Sequence, residues 1–162
     1  MNTKMKVIIE CPKGSQAKYK YNEEKKDFEI DKILPLGMVF PYDFGFIPDT
    51  VGEDKDPLDA MVFSEFPLQT GSTIECRLIG GLTARQQEPK EKKPIRNDRF
   101  FFVPVNSVNF QHVEKIADFG KTHNQQLQDF FVNYNRAEGK LFEPEKYVEP
   151  EKALKLIKNG KR

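Results

Sequence analysis

Short apolar runs broken by Gly and Pro fill the first two thirds of the chain, and a helical period is found only in the last third. Val7, Ile8 and Ile9 form a β-branched run inside Lys4 to Glu10. Cys11-Pro12-Lys13-Gly14-Ser15 ends it, the pattern of a strand followed by a turn. Lys18 to Asn22 alternates around Tyr19 and Tyr21, and Asp27 to Ile33 around Phe28 and Ile30. Further strands are predicted over Leu58 to Ser64, Thr73 to Ile79 and Phe100 to Val105. With no helix between them, these strands predict an antiparallel barrel or sandwich rather than a βαβ array.

Two helices are predicted near the C-terminus. Across Thr122 to Arg136, Leu127, Phe130, Phe131 and Tyr134 fall on one apolar stripe, which is expected to pack on the barrel. Pro150 to Lys158 sets Ala153, Leu154 and Ile157 against lysines and stops at Gly160. Between two strands, RQQEPKEKKPIRNDR from Arg85 to Arg99 holds six basic and three acidic residues and reads as an exposed hairpin loop.

The length of 162 residues suits one domain with one core, spanning 1–162. Twenty-six Lys and Arg against twenty-five Asp and Glu leave a formal charge of +1, which excludes a generic polyanion binder. A charge-driven function must therefore be local. Two cysteines, Cys11 and Cys76, make neither a disulfide framework nor a zinc site, and the apolar run near the N-terminus is too short for a signal segment or a membrane span. The expectation is a cytoplasmic protein that binds neither membrane nor nucleic acid. The aromatic residues between 40 and 46 are expected in the core rather than on a base-stacking platform.

The local charge lies in Gly52 to Asp59, GEDKDPLD. Pro57 biases Asp56 towards an extended conformation, so Asp54 and Asp56 are expected to project from one side, and Asp59 returns to them as the next strand begins. Crowded carboxylates raise one another's pKa unless a cation or hydrogen bonds absorb the charge. Mg²⁺ suits such a nest, because it keeps several waters and is completed by substrate phosphate. A solvated acidic turn is the alternative. A calcium loop of the EF-hand type fails, since its sixth position would be Asp59 rather than glycine and its flanks are strands.

The run Met38-Val39-Phe40-Pro41-Tyr42-Asp43-Phe44-Gly45-Phe46-Ile47-Pro48, followed by GEDKDPLDAMV, resembles the signature region of the soluble family I inorganic pyrophosphatases. Ile8 to Pro12 with Ala17 to Tyr19, Arg77 to Gly80, and Phe131 to Tyr134 extend the resemblance over roughly residues 5 to 136. It implies a mainly β protein with flanking helices, built as an OB-like five-stranded barrel. It also implies Mg²⁺-dependent hydrolysis of pyrophosphate to two orthophosphates, and homohexamers in bacterial members. By resemblance Asp54 and Asp59 hold metal, Asp56 serves as general base and metal ligand, and Glu10 supports the metal and water network. Lys18, Lys32, Arg99 and Tyr134 contact phosphate.

The chain also departs from the family pattern. Lys20 stands where the resemblance implies glutamate, Lys32 where it implies arginine, Phe44 where it implies tyrosine and Asn135 where it implies lysine. Two further metal aspartates align with Gln86 and Asn97, leaving Asp98 as the candidate replacement ligand. Fewer or weaker metals are expected. The leading expectation is an inorganic diphosphatase. The alternatives are a catalytically impaired phosphate-binding or partner-binding relative, and a hydrolase of another phosphoanhydride.

Overall fold

The computed structural model describes residues 3–161. Its strands are β1 (Lys4–Cys11), β2 (Ala17–Asn22), β3 (Asp27–Ile33), β4 (Asp43–Phe46), β5 (Asp59–Val62), β6 (Thr73–Gln87), β7 (Ile95–Arg96), β8 (Arg99–Pro104) and β9 (Leu141–Val148). The helices are α1 (Lys121–Ala137) and α2 (Pro150–Asn159), with a short 3₁₀ turn at Ile116–Phe119 ahead of α1.

Five strands close on themselves: β1 pairs with β4, β4 with β5, β5 with β8, β8 with β6, and β6 again with β1. This is the expected OB-like barrel, with one correction. The β5–β8 seam is parallel, with Asp59 beside Arg99 and Val62 beside Phe102, whereas the other seams are antiparallel. The parallel seam brings the first residues of two strands to the same end of the barrel.

The barrel wall is apolar on both faces, which explains why β5 and β8 read as continuous apolar runs rather than alternating ones. Ala60, Val62, Phe100 and Phe102 join Val7, Ile9, Ala153 and Ile157 in one core under α2. Met61, Phe63, Phe101 and Val103 join Phe40, Leu127, Phe131 and Tyr134 in a second core under α1. Two cores thus replace the one expected, because each face of the wall needs its own helix to cover it.

The predicted β2–β3 hairpin exists but forms a separate two-stranded sheet outside the barrel. Its residues are mostly half-buried or exposed, so it has no apolar face to contribute to the wall. The barrel position is taken instead by β4, which lies inside the segment expected only to be core. Gly45 admits β4 there, because a Cβ at this position would stand 1.9 Å from the Ile8 carbonyl oxygen.

The predicted strand ending at Ile79 continues to Gln87. Gly80, with φ +146°, accommodates a register shift against β8, and a Cβ on it would meet the Val148 carbonyl oxygen at 2.7 Å. The glycine pair bends the strand so that one end pairs with β1 and the other with β9. The exposed loop expected over Arg85 to Arg99 shrinks accordingly, since Ile95 and Arg96 pair back onto β6 and both Asp98 and Arg99 are buried. β9 itself was not apparent in the sequence, because Pro144 interrupts it; the proline falls at a register shift where the ladder is already broken.

Candidate active site

One end of the barrel, the β2–β3 hairpin, the acidic bend and the C-terminal end of α1 together enclose a cleft of about 560 Å³. Glu10, Lys18, Lys32, Asp54, Asp56, Asp59, Arg99 and Tyr134 all line it. Residues scattered over 125 positions of sequence therefore converge, and Asp98 is the predicted site residue left out.

Asp54 and Asp56 are held by a tight turn. Gly52 N–H donates to the Asp56 carbonyl at 2.8 Å, Lys55 N–H to the Gly52 carbonyl at 3.1 Å, and Asp56 N–H to Asp54 Oδ1 at 3.0 Å. Lys55 adopts φ 73°, a left-handed conformation that costs a non-glycine residue about 1 kcal/mol. Asp56 is the more exposed of the pair and faces Lys20 Nζ at 3.7 Å. The carboxylates repel as the sequence implied. Burial, then the charge of Asp59, pushes the Asp54 carboxyl up to about 6. Burial likewise raises Glu10 to about 7, although Tyr21 N–H donates to its Oε2 at 3.0 Å.

Asp59 has a partner of its own. The parallel register sets it against Arg99, whose Nη1 lies 2.8 Å from Asp59 Oδ2. Burial raises the Asp59 carboxyl, with the guanidinium pulling against that rise. Arg99 is 3% exposed and also donates from Nη1 to the Asn97 carbonyl and Oδ1, at 3.0 and 2.8 Å. Its Nη2 reaches Gln86 Oε1 at 3.3 Å, and the guanidinium carbon lies 4.9 Å from the Phe142 ring centroid and 5.4 Å from that of Phe131.

The opposite wall is basic. Lys32 Nζ and Lys18 Nζ both approach Glu138, at 2.5 and 3.8 Å, and Lys18 also stands over the Tyr134 ring. Burial disfavours the Glu138 charge, yet Lys32, Lys18 and Lys140 together hold its carboxyl below the ordinary range. Glu138 and Lys140 escaped sequence reasoning because they lie just beyond the predicted end of the helix, where no pattern marks them. Tyr134 packs against Phe40 and Phe130 as the stripe implied and also lines the cleft, and its buried hydroxyl finds no hydrogen-bond partner. Burial, then Glu138, raises its pKa, so it stays a protonated donor.

Asp98 does not replace a missing ligand. It turns to the other side of the β6–β7 junction, where Oδ1 accepts from Ala84 N–H at 3.0 Å and from Arg96 Nη1 at 3.0 Å. Its neighbours on either side, Asn97 and Arg99, take the cleft side, as expected where successive side chains alternate.

Among the described residues no group of three or more His, Cys, Asp and Glu side chains is placed to hold a metal ion. The donor set nevertheless fits one hard cation of the Mg²⁺ type, which needs only one or two carboxylates when phosphate and water complete its shell. Asp54 and Asp56 could supply them. Asp59, paired with Arg99, and the neutral amides of Gln86 and Asn97 do not fit a cluster of several ions.

With the geometry in place, the chain can be set beside known proteins. A family model described as inorganic pyrophosphatase matches residues 7–162. An inorganic pyrophosphatase of Saccharolobus solfataricus is 36% identical over 144 residues, covering 88% of this chain and 77% of its own. That of Nanoarchaeum equitans is 36% identical over 157 residues, covering 95% and 93%. The crystal structure of the Thermus thermophilus inorganic pyrophosphatase superposes with a TM-score of 0.86 at 29% identity, covering 96% of this chain and 87% of that one. The Helicobacter pylori enzyme gives 0.85 at 28%, covering 97% and 91%. The barrel, the cleft and these matches agree that the chain belongs to the inorganic pyrophosphatase family.

Proposed function

We propose that this protein binds pyrophosphate in the cleft together with Mg²⁺ and hydrolyses it to two orthophosphates. One observation carries the reading: an acidic cluster of Glu10, Asp54, Asp56 and Asp59, with Arg99 paired to Asp59, shares a single cavity with Lys18, Lys32 and Tyr134. The cleft is lined by six basic and eight acidic side chains, so a polyanion enters it readily only with a cation of its own.

Each residue then has a task. Lys18 and Lys32, restrained by Glu138, present ammonium groups to phosphate oxygens, and the Tyr134 hydroxyl donates once such an oxygen arrives. Mg²⁺, held by Asp54 and Asp56, supplies neutralisation of phosphate charge and lowers the pKa of water in the site. Asp56, exposed at the mouth, accepts the proton of the attacking water, and Glu10 stands by as a second acceptor with its pKa near 7.

Phosphate release from pyrophosphate in Mg²⁺ tests this. Asp56→Asn removes a proton acceptor with little change of shape and should lower kcat by about 10²- to 10⁴-fold. An unchanged rate would remove Asp56 from the catalytic role.

A second reading has its own observation. The Arg99–Asp59 pair at 2.8 Å and the amides of Gln86 and Asn97 favour a phosphate-binding or partner-binding relative with impaired turnover. Binding of pyrophosphate without release of phosphate would select it. Turnover only of a nucleotide or polyphosphate would select a hydrolase of another phosphoanhydride.

Two further properties belong to the proposal. Leu36, in the turn after β3, is 96% exposed, and Ile30 and Ile33 of β3 are exposed as well, apolar surface that assembly into a homo-oligomer, a hexamer by resemblance, would cover. Light scattering in solution tests the assembly. A cytoplasmic setting is supported by two free, buried cysteines. No helix among the described residues is long and apolar enough to cross a membrane.

A further inference from the structure

The β2–β3 hairpin brings three lysines to the cleft, and they are not held alike. Lys18 and Lys32 both approach Glu138, whose side chain is 6% exposed. Lys20 instead faces Asp56, with Nζ 3.7 Å from Oδ2, and these two side chains are 56% and 54% exposed. We propose that Lys20 is an exchangeable counter-ion that caps the Asp56 carboxylate in the free protein and turns to a phosphoryl oxygen when the substrate arrives. The inference rests on the reading that pyrophosphate is the ligand and Asp56 the proton acceptor, and it assigns the residue that holds this acceptor in reserve.

Three observations carry it. The first is that the backbone of Lys20 is fixed while its charged head is not. The next residue, Tyr21, donates its N–H to Glu10 Oε2 at 3.0 Å, and its ring stacks on Phe46 at 5.9 Å, which ties this part of β2 to the acidic cluster and to the barrel. From that anchored position a flexible four-carbon stem carries the ammonium group of a residue that lines the cleft.

The second is that the pair is weak enough to exchange. An ion pair this exposed shifts an equilibrium by less than about tenfold, whereas phosphoryl oxygens offer denser charge and shorter, charge-assisted hydrogen bonds. Lys18 and Lys32 are tied to a buried carboxylate and exchange less readily.

The third is that the partner on its own sheet is already engaged. Glu29 stands opposite Lys20 in the β2–β3 register, but Lys25 Nζ lies 3.1 Å from Glu29 Oε1. Lys20 turns to the cleft instead. There its ammonium group competes for Asp56 Oδ2 with a divalent cation and with the proton of the attacking water. No covalent bond changes when it moves; one ion pair is traded for another, and the acceptor is released only once phosphate has drawn the lysine away.

The test uses the whole chain, wild type and variants at position 20. Mn²⁺ binding without substrate, followed by electron paramagnetic resonance, should be about three- to tenfold tighter in Lys20→Gln, because an Asp56 oxygen is freed. The affinity for methylenediphosphonate, a non-hydrolysable analogue of pyrophosphate, titrated calorimetrically in saturating Mg²⁺, should be about fivefold or more weaker in the same variant. The opposite signs are the signature, since damage to the hairpin would weaken both. Lys20→Arg keeps the charge and should bring both affinities to within about threefold of the wild type. The gain in Mn²⁺ affinity should vanish when Lys20→Gln is made in an Asp56→Asn background, because the competition is for Asp56 itself.

An unchanged Mn²⁺ affinity in Lys20→Gln, or a gain that persists undiminished with Asp56→Asn, overturns the inference by removing the cap. An unchanged diphosphonate affinity overturns it by removing the transfer to phosphate. A wild-type protein that binds no diphosphonate even in Mg²⁺ sinks the proposed function along with it. Wild-type hydrolysis of pyrophosphate with both Lys20→Gln affinities unchanged sinks the inference alone.

Discussion

Glu10 illustrates how one residue ties the site to the stability of the fold. It takes its proton more tightly in the folded chain, near pH 7, than in the unfolded chain, near its ordinary 4.5. The folded state therefore loses stability as the pH rises from about 4.5 through 7, and below that window the group contributes nothing. Asp54, shifted to about 6 from 3.8, acts in the same direction. Glu10→Gln keeps an acceptor for Tyr21 N–H and removes the charge. It should make the metal-free protein more stable than the wild type at pH 8 by about 1–2 kcal/mol, and no more stable at pH 4. Urea midpoints at the two pH values read this out. A variant less stable than the wild type at pH 8 would mean that the charge is satisfied after all.

At the scale of elements, the site exists because of two unusual pairings. The parallel β5–β8 seam sets Asp59 beside Arg99, and the close β1–β4 approach brings Glu10 at the end of β1 towards the acidic bend. The second pairing depends on Gly45. Gly45→Ala would drive a methyl group into the Ile8 carbonyl oxygen at 1.9 Å, where the nearest atoms are all β1 backbone rather than a side chain free to yield. We expect a loss of about 3 kcal/mol or more and a weakened β1–β4 ladder. Denaturant titration and amide exchange at Ile8 and Phe46 would show it. A loss under about 1 kcal/mol would mean that the strands can separate cheaply.

Across the whole molecule, the barrel wall is a partition with a helix on each side. α2 covers the core that lies away from the cleft, through Ala153 and Ile157, both with no exposed surface. Ile157→Ala should cost about 2–5 kcal/mol by opening a cavity there. A destabilisation of this size lowers Tm by several degrees in a chain of this length. Because α1 and the cleft belong to the other core, pyrophosphate affinity below Tm should change less than twofold. Thermal melting and calorimetry check the two halves, and a matching loss of affinity would show that the cores are coupled through the wall.

What the sequence determined by itself was whatever depends on neighbours along the chain. A β-branched run marked β1, alternation marked β2 and β3, the apolar stripe marked α1 over Thr122 to Arg136, and the Asp54-Asp56-Pro57-Asp59 spacing already placed three carboxylates on one bend. The family resemblance, carried by segments beyond that bend as well, named Glu10, Lys18, Lys32 and Tyr134 as site candidates, and all of them line the cleft. Only the tertiary structure decided which side of the chain faced the site where the local rules are silent. One residue of alternation sends Asp98 to Arg96 and Arg99 to Asp59; strand alternation sets the two on opposite sides, and the observed register, with no bulge between them, fixes Arg99 as the one that turns to the cleft. The same holds for Glu138, which gathers two lysines from a distant hairpin, and for β9, whose broken ladder hides it from periodicity. Charge pairing and strand register are long-range properties. They are set when distant segments meet, and that meeting is where this cleft acquires its buried arginine.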